Sequence, residues 1–216
     1  MPENVKLGIA RALVGIGAVG VSRAKPIIFK SGIVSPVYVD NRALAFHPVE
    51  WRLVIEGFKS LIVRDKINFD VIASVAVGGV PHGSALAYAL QKPCVFIRKE
   101  AKEHGKQKRV EGGEIAGLNV LMIEDLVTSG GSSLSALQAL RDEGGIARHI
   151  LAIVAYGFPE AVQAFAKADA ELTSLTDFPT ILQAGTAMGR FSAHDKLAVE
   201  DWLADPHGWG KRHGFS

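Results

Sequence analysis

Cysteine is nearly missing from this sequence: Cys94 is the only one among 216 residues. It has no partner for an intrachain disulfide, and zinc sites built from several thiolates are excluded. Such sparse cysteine suits a reducing compartment, so a cytoplasmic setting is expected. A charge excess is missing too. Lys and Arg total 24 and Asp and Glu 22, a net charge of +2. That balance argues against a nucleic-acid partner, which would need a strong basic footprint. No stretch reaches the roughly 18 consecutive apolar residues of a membrane span, so no membrane partner is expected. The apolar run Ala12–Val21 follows Lys6 and Arg11 as in a signal peptide. However, Gly15, Gly17 and Gly20 interrupt it, and Ser22-Arg23-Ala24-Lys25 makes a poor cleavage site. A short amphipathic helix ending in a glycine-rich turn is the better reading. Internal repeats and low-complexity tracts are absent as well.

What the sequence does have is core material. Hydrophobic residues make up 48% and charged residues 21%, enough for one sizeable domain. Apolar runs of strand length alternate with helical patterns. Asp70–Val77 reads as a buried strand ended by Gly78-Gly79, with a helix over His82–Leu90. Pro93–Ile97 and Asn119–Ile123 are further strands, the latter followed by a helix over Ser132–Asp142. Ile150–Ala155 is a fourth strand, with a helix over Pro159–Ala168. Uniformly apolar strands alternating with helices predict an α/β fold, a central parallel sheet flanked by helices on both faces with right-handed crossovers. Residues 1–65 precede this rhythm, with helical stretches at Val5–Gly15 and Pro48–Arg64 around an extended segment, Ile27–Asn41. Residues 171–216 follow it, with a short apolar piece, Thr180-Ile181-Leu182, and a helix over Ala193–Leu203. The expectation is a single domain over 1–216, with 66–170 as core and the two ends, 1–65 and 171–216, packing together or over the sheet edge as a small hood or peripheral elements.

The richest chemistry lies in Val120–Ser133, VLMIEDLVTSGGSS. A hydrophobic strand runs into two carboxylates, Glu124 and Asp125. Then come Leu126, Val127, Thr128, Ser129, Gly130, Gly131 and Ser132, and a helix. Ligands of open α/β sheets sit beyond the carboxyl ends of the strands, where this loop falls. Small residues let backbone N–H groups converge on an anion, and the helix start adds free donors and positive potential. Thr128, Ser129 and Ser132 add hydroxyls. Carboxylates beside such a loop would repel phosphate, but they can accept from hydroxyl groups. A phosphate with vicinal hydroxyls a short distance away describes a ribose 5-phosphate. The loop is neither a Walker A nor a dinucleotide fingerprint.

The string resembles the phosphoribosyl pyrophosphate (PRPP) motif of the type I phosphoribosyltransferases: four hydrophobic residues, two acids and a Thr-Gly-Gly-like turn. The resemblance implies that family's fold, and PRPP binding by Glu124 through Ser132. Two further segments resemble the orotate phosphoribosyltransferases. Phe29–Arg42, FKSGIVSPVYVDNR, is similar to their N-terminal signature and implies orotate contacts from Lys30, Tyr38 and Val39. Arg98–Gly113 is a polar stretch between two strands; from Arg98 through Arg109 it carries six Lys or Arg against two Glu. Long polar loops of this kind are often functional lids, and its Arg98-Lys99-x-x-Lys102-x-His104-Gly105 resembles the family's catalytic loop. The resemblance implies that Arg98, Lys102 and His104 serve the partner's site in a homodimer while Lys99 serves its own. It also gives Lys102 and His104, with Glu124 and Asp125, the catalytic roles. Ala76–Ser84 resembles the pyrophosphate loop, with Gly78 where some relatives have Lys. Tyr156-Gly157-Phe158 stands where one branch has a base-contacting Arg and resembles the Bacillus-like branch, leaving Thr128 for the base. Mg²⁺ is implied as cofactor, held by ligand oxygens and water rather than by a protein residue.

The implied activity converts orotate and PRPP to orotidine 5′-monophosphate and pyrophosphate, without a covalent nucleophile. A purine or uracil phosphoribosyltransferase would explain Glu124–Ser132 but not Phe29–Arg42. A non-catalytic PRPP-binding RNA regulator would need a basic face that the charge balance does not offer. Cys94, His47, His149, His194, Trp202 and Trp209 read as structural.

Overall fold

The computed structural model describes residues 3–29, 31–100 and 108–215. Helix α1 (Glu3–Gly15) buries Ile9, Ala10, Leu13 and Val14 at helical spacing. Four short strands follow: β1 (Val19–Val21), β2 (Ile27–Ile28), β3 (Val34–Ser35) and β4 (Val37–Val39). β1 pairs antiparallel with β4, and β2 with β3. A 3-10 helix over Asn41–Phe46, capped by the Asp40 carboxylate, leads into α2 (Pro48–Arg64), which has its proline in the first turn. The centre of the chain then alternates: β5 (Val71–Val75), α3 (Gly79–Leu90), β6 (Cys94–Ile97), β7 (Val110–Glu111), β8 (Asn119–Val127), α4 (Gly131–Asp142), β9 (Ile146–Ala155), α5 (Pro159–Lys167) and β10 (Glu171–Asp177). Helices α6 (Phe178–Ala187), α7 (Ala193–Ala204) and α8 (Trp209–Arg212) follow.

One six-stranded sheet has the order β10-β9-β8-β5-β6-β7. All its pairings are parallel except that of β7, which returns antiparallel beside β6. The pleat divides each central strand between two cores. Leu121 and Ile123 of β8 pack in a cluster with residues of α1, α2, α3 and α6. Val120 and Met122, their neighbours in sequence, pack with Ala136, Leu137 and Leu140 of α4. Cover on both faces is why these strands are apolar throughout rather than alternating. Helix α3 lies close against this sheet. A Cβ at Gly79 would come within 2.6 Å of the Ile123 carbonyl oxygen, and one at Gly83 would collide with the Ser74 hydroxyl.

The hood is fastened by aromatics. Trp202 of α7 is wholly buried, and its Nε1 donates to the Val34 carbonyl at 2.9 Å. Its ring stands edge-on to Tyr156 at 5.4 Å, and Tyr156 stacks between Phe158 and Phe178. Lys6 of α1 forms an ion pair with Asp177, the N-cap of α6.

Several elements differ from their expected extents. β8 runs past Ile123 through both acids to Val127, because β9 continues to pair along it. Helix α3 begins at Gly79 rather than His82. The segment after 170 adds a sixth strand, so the sheet outruns the expected core boundary; Thr180-Ile181-Leu182 lies within α6. β7 turns the base of the polar stretch into a hairpin, which its length of two residues concealed.

Candidate active site

The carboxyl ends of β5, β6 and β8 open on one side of the sheet. There, β8 has lost its β5 neighbour: the β5–β8 pairing ends at Ser74 and Ile123, four residues before β8 does. The two acids occupy this half-paired stretch. Glu124 is 5% exposed and accepts from the Ser133 hydroxyl at 2.7 Å. Asp125 lies with its carboxyl over Gly78, where any Cβ would collide with it. A side chain at 78 would therefore have to displace this acid. Burial pushes the Asp125 carboxyl above its ordinary value, with the Asp125 and Leu126 backbone N–H groups and the Arg42 charge opposing.

Two adjoining cavities meet at Asp125, Leu126 and Ser132. The first, about 370 Å³, is lined by those three with Phe29, Ser31, Thr128, Ser129, Gly130, Gly131 and Ser133. Gly130 has φ +81°, which glycine alone adopts readily, and it sets the first turn of α4 against this space. A Cβ there would lie 2.9 Å from Phe165. The free N–H groups of the helix start make the cavity an anion cradle. The second cavity, about 410 Å³, adds Arg42, Lys99, Glu124 and the turn Val75–Gly78, whose Ala76–Val77 peptide is cis. It brings two cations to the far side of Asp125. Together the cavities offer an anion cradle, a carboxylate and a second anion site in sequence.

The expected site residues fall into three groups. Glu124, Asp125, Leu126, Thr128, Ser129, Gly130, Gly131, Ser132 and Lys99 line the cavities. Val127, Arg98, Tyr38 and Val39 do not. Val127 is buried in the core, and Arg98 donates to Glu111 across the hairpin at 3.1 Å. Tyr38 covers Gly20 on the facing strand, and Val39 pairs with Val19 on the same ribbon. Lys30, Lys102 and His104 lie outside the described residues. The hairpin base is tied to α4: the Glu143 carboxylate accepts from the Arg109 and Val110 N–H groups, both at 3.0 Å.

Phe29, Ser31, Arg42, Val77 and Ser133 also line the cavities; they lie in the segments singled out from the sequence but were given no individual role there. Arg42 was the most findable, a cation ending the segment Phe29–Arg42. It is held in a two-pronged pair by Asp40, at 2.6 and 2.9 Å. Tyr156 is buried, and burial pushes its hydroxyl pKa up. Among the described residues no cluster of three or more His, Cys, Asp or Glu could hold a metal ion.

Comparison with known proteins places this geometry. Residues 47–171 match the model of the phosphoribosyl transferase domain. The orotate phosphoribosyltransferase of Bacillus caldolyticus is 36% identical, over 95% of this chain and 100% of its own. The crystal structure of orotate phosphoribosyltransferase from Aeropyrum pernix superposes with a TM-score of 0.73 at 28% identity, covering 85% of this chain and 99% of its own. The UMP synthase of Leishmania donovani shares the fold, with a TM-score of 0.79 at 24% identity; 92% of this chain matches 42% of that longer one. Two acids near the carboxyl end of a central strand, a glycine-turned anion cradle and these likenesses agree, and the chain belongs to the orotate phosphoribosyltransferases of the phosphoribosyl transferase domain family.

Proposed function

We propose that the protein transfers the phosphoribosyl group of PRPP to orotate, releasing pyrophosphate and orotidine 5′-monophosphate. The carrying observation is the pair of cavities joined at Asp125, because PRPP is an anion at both ends with a diol between. The 5′-phosphate sits in the cradle of Ser129–Ser132, on the first N–H groups of α4. The ribose hydroxyls donate to Asp125, with Glu124 behind it braced by Ser133. Pyrophosphate lies toward Arg42, Lys99 and the 76–78 turn. The bond from the anomeric carbon to the pyrophosphate oxygen breaks, and its electron pair leaves with pyrophosphate. A ring nitrogen of orotate, having given up its proton, bonds to that carbon. Cations facing the departing oxygens lower the barrier most, since charge builds there as the bond breaks. Lys102 and His104 join them from the lid.

Magnesium fits this site as an ion carried by substrate. It favours phosphate oxygens, water and one or two carboxylates, and Asp125 borders the space where pyrophosphate would lie. When bound, it would neutralise phosphate charge.

The proposal extends to a cytoplasmic homodimer, with Arg98, Lys102 and His104 acting in the partner's cavity. Two observations support that reading. The sole cysteine, half-buried beside Ser74, suits a reducing compartment. Phe46 at the end of the 3-10 helix and Val49 and Leu53 on α2 stand exposed, on the segment that follows Arg42. No helix among the described residues is long and apolar enough to cross a membrane.

Incubation with PRPP and orotate, hypoxanthine, guanine or uracil tests the substrate. Turnover with orotate alone is expected; a preference for any other base would overturn the reading. Mixing Lys102→Ala with Asp125→Asn chains tests the dimer. Activity should return once subunits exchange, because each mixed dimer holds one intact site. Exchange without recovery would place the lid in its own chain.

A further inference from the structure

Asp125 needs support that its own sheet does not give. Its backbone lies beyond the last β5–β8 pair, at Ser74 and Ile123, so one side of β8 is open there. Unpaired backbone groups in such a place are costly. The Asn41 side chain takes the position that a further β5 residue would have held. Its Nδ2 donates to the Asp125 carbonyl at 2.6 Å, joining residues 84 apart in sequence. Asn41 is 1% exposed, at the start of the 3-10 helix. Its neighbour Arg42 lines the cavity wall.

Behind Asn41 stands a second buried polar group. His82 of α3 is wholly buried, and its Nδ1 lies 3.0 Å from Trp51 Nε1 on α2. Indole nitrogen can only donate, so Nδ1 is the unprotonated acceptor and the ring hydrogen belongs on Nε2. The Asn41 backbone lies near this ring, and Nε2 has no hydrogen-bond partner among the described residues. Burial keeps the ring neutral, with its pKa lowered to about 4. Protonation would place a hydrogen between Nδ1 and the indole donor. Trp51 and His82 thus join α2 to α3, and Asn41 joins the 3-10 helix to β8.

We propose that Asn41 is a positioning residue for the ribose-binding carboxylate. Its amide pins the Asp125 backbone where β5 leaves β8, so that the carboxyl stays over Gly78 and faces the diol. His82 and Trp51 hold the Asn41 segment in place from behind. This inference rests on the reading of Asp125 as the group that binds the ribose hydroxyls.

The experiment is a double-mutant cycle read by PRPP affinity. Asn41→Leu keeps bulk and removes the donor; Asn41→Asp keeps shape and sets an acceptor against the carbonyl. Each is expected to weaken PRPP binding about tenfold in the wild-type background, near the upper end of what one neutral hydrogen bond contributes. In the Asp125→Asn background the same changes should cost less than about twofold, because a missing carboxylate cannot be misplaced. Affinity for inorganic pyrophosphate should stay within about twofold in the Asn41 variants, measured against their own background. Should one Asn41 variant fail to fold, the other completes the cycle. Should both fail, Trp51→Phe serves as the variant, with a smaller loss of about threefold that also vanishes in the Asp125→Asn background. Losses that multiply across the cycle, or fall equally on pyrophosphate, would make Asn41 merely structural and overturn the proposal. An Asp125→Asn chain that binds PRPP normally would instead overturn the ribose reading. A weakened Asp125→Asn chain beside a neutral Asn41→Leu chain would leave that reading standing and remove only the positioning role.

Discussion

The two halves of the site are built by opposite means. The cradle is local: Thr128–Ser132 and the start of α4 are one continuous stretch, and backbone N–H groups do the binding. The far cavity is assembled: Arg42, the 76–78 turn, Lys99 and Asp125 come from four separate segments, and three of them bring a side-chain charge. A backbone cradle stands or falls with its turn. An assembled pocket can lose a member and keep its shape. On the proposed reading, rigidity lies at the phosphate end that substrate and product share, and charge that can be added or withdrawn lies at the end where pyrophosphate leaves.

Removing the carboxylates between the halves should have the largest effect. Glu124→Gln with Asp125→Asn is expected to lower kcat/KM for PRPP by about a thousandfold, some 4 kcal/mol of transition-state stabilisation, while circular dichroism remains native. Near-normal turnover would separate the two cavities into unrelated sites. Next comes Gly130→Val. A β-branched residue at φ +81° with its Cβ 2.9 Å from Phe165 should destabilise by about 3 kcal/mol and weaken every ligand carrying a 5′-phosphate. Denaturant unfolding and product binding read both effects.

The polar groups beneath the site give an effect of similar size, confined to acid. His82 has a pKa of about 4 in the fold against an ordinary 6.5. Between those values the unfolded chain takes up a proton that the folded chain refuses. The stabilising contribution of neutral His82 is therefore complete above pH 6.5 and is lost as pH falls toward 4, by about 3 kcal/mol in all. Urea unfolding of the parent and His82→Gln at pH 7 and pH 4.5 should show a steeper acid loss in the parent. Parallel curves would mean that His82 protonates freely. The smallest effect concerns Asp125. Burial raises its pKa, so the folded chain holds its proton more tightly and stability falls as pH rises through that range. At neutral pH, Asp125→Asn should leave the melting temperature unchanged or slightly higher despite its loss of activity. A large drop would make the carboxylate a structural ion-pair member rather than a group strained toward its ligand.

How much of this was legible followed the same local-versus-assembled division. The cradle could be read because its residues are contiguous and each type has a local reason, including glycine at a left-handed turn. The central strands could be read because burial on both faces makes them apolar without interruption. β10 could not: ELTSLTD is an edge strand, with only Leu175 and Thr176 buried, so its composition is polar. Asn41 could not be assigned from sequence because its partner, Asp125, lies on β8, 84 residues on, and Arg42 because the cavity it lines is built from other segments. Only the turn of β5 away from β8 makes room for them. Tyr38 was expected at the base from the resemblance of Phe29–Arg42 to the family's signature. In the fold it covers Gly20, and Phe29, nine residues earlier, lines the cavity.

One measurement bears most directly on the claim that two differently built cavities hold the two ends of one ligand. Calorimetric affinities for inorganic pyrophosphate and for orotidine 5′-monophosphate should be taken for Gly130→Val and Arg42→Ala in magnesium buffer. A crossed pattern is expected. Gly130→Val should weaken the nucleotide by about tenfold or more and spare pyrophosphate, and Arg42→Ala should do the reverse. If both variants weakened both ligands alike, the cavities would be one undivided site and the account of their separate roles would be contradicted.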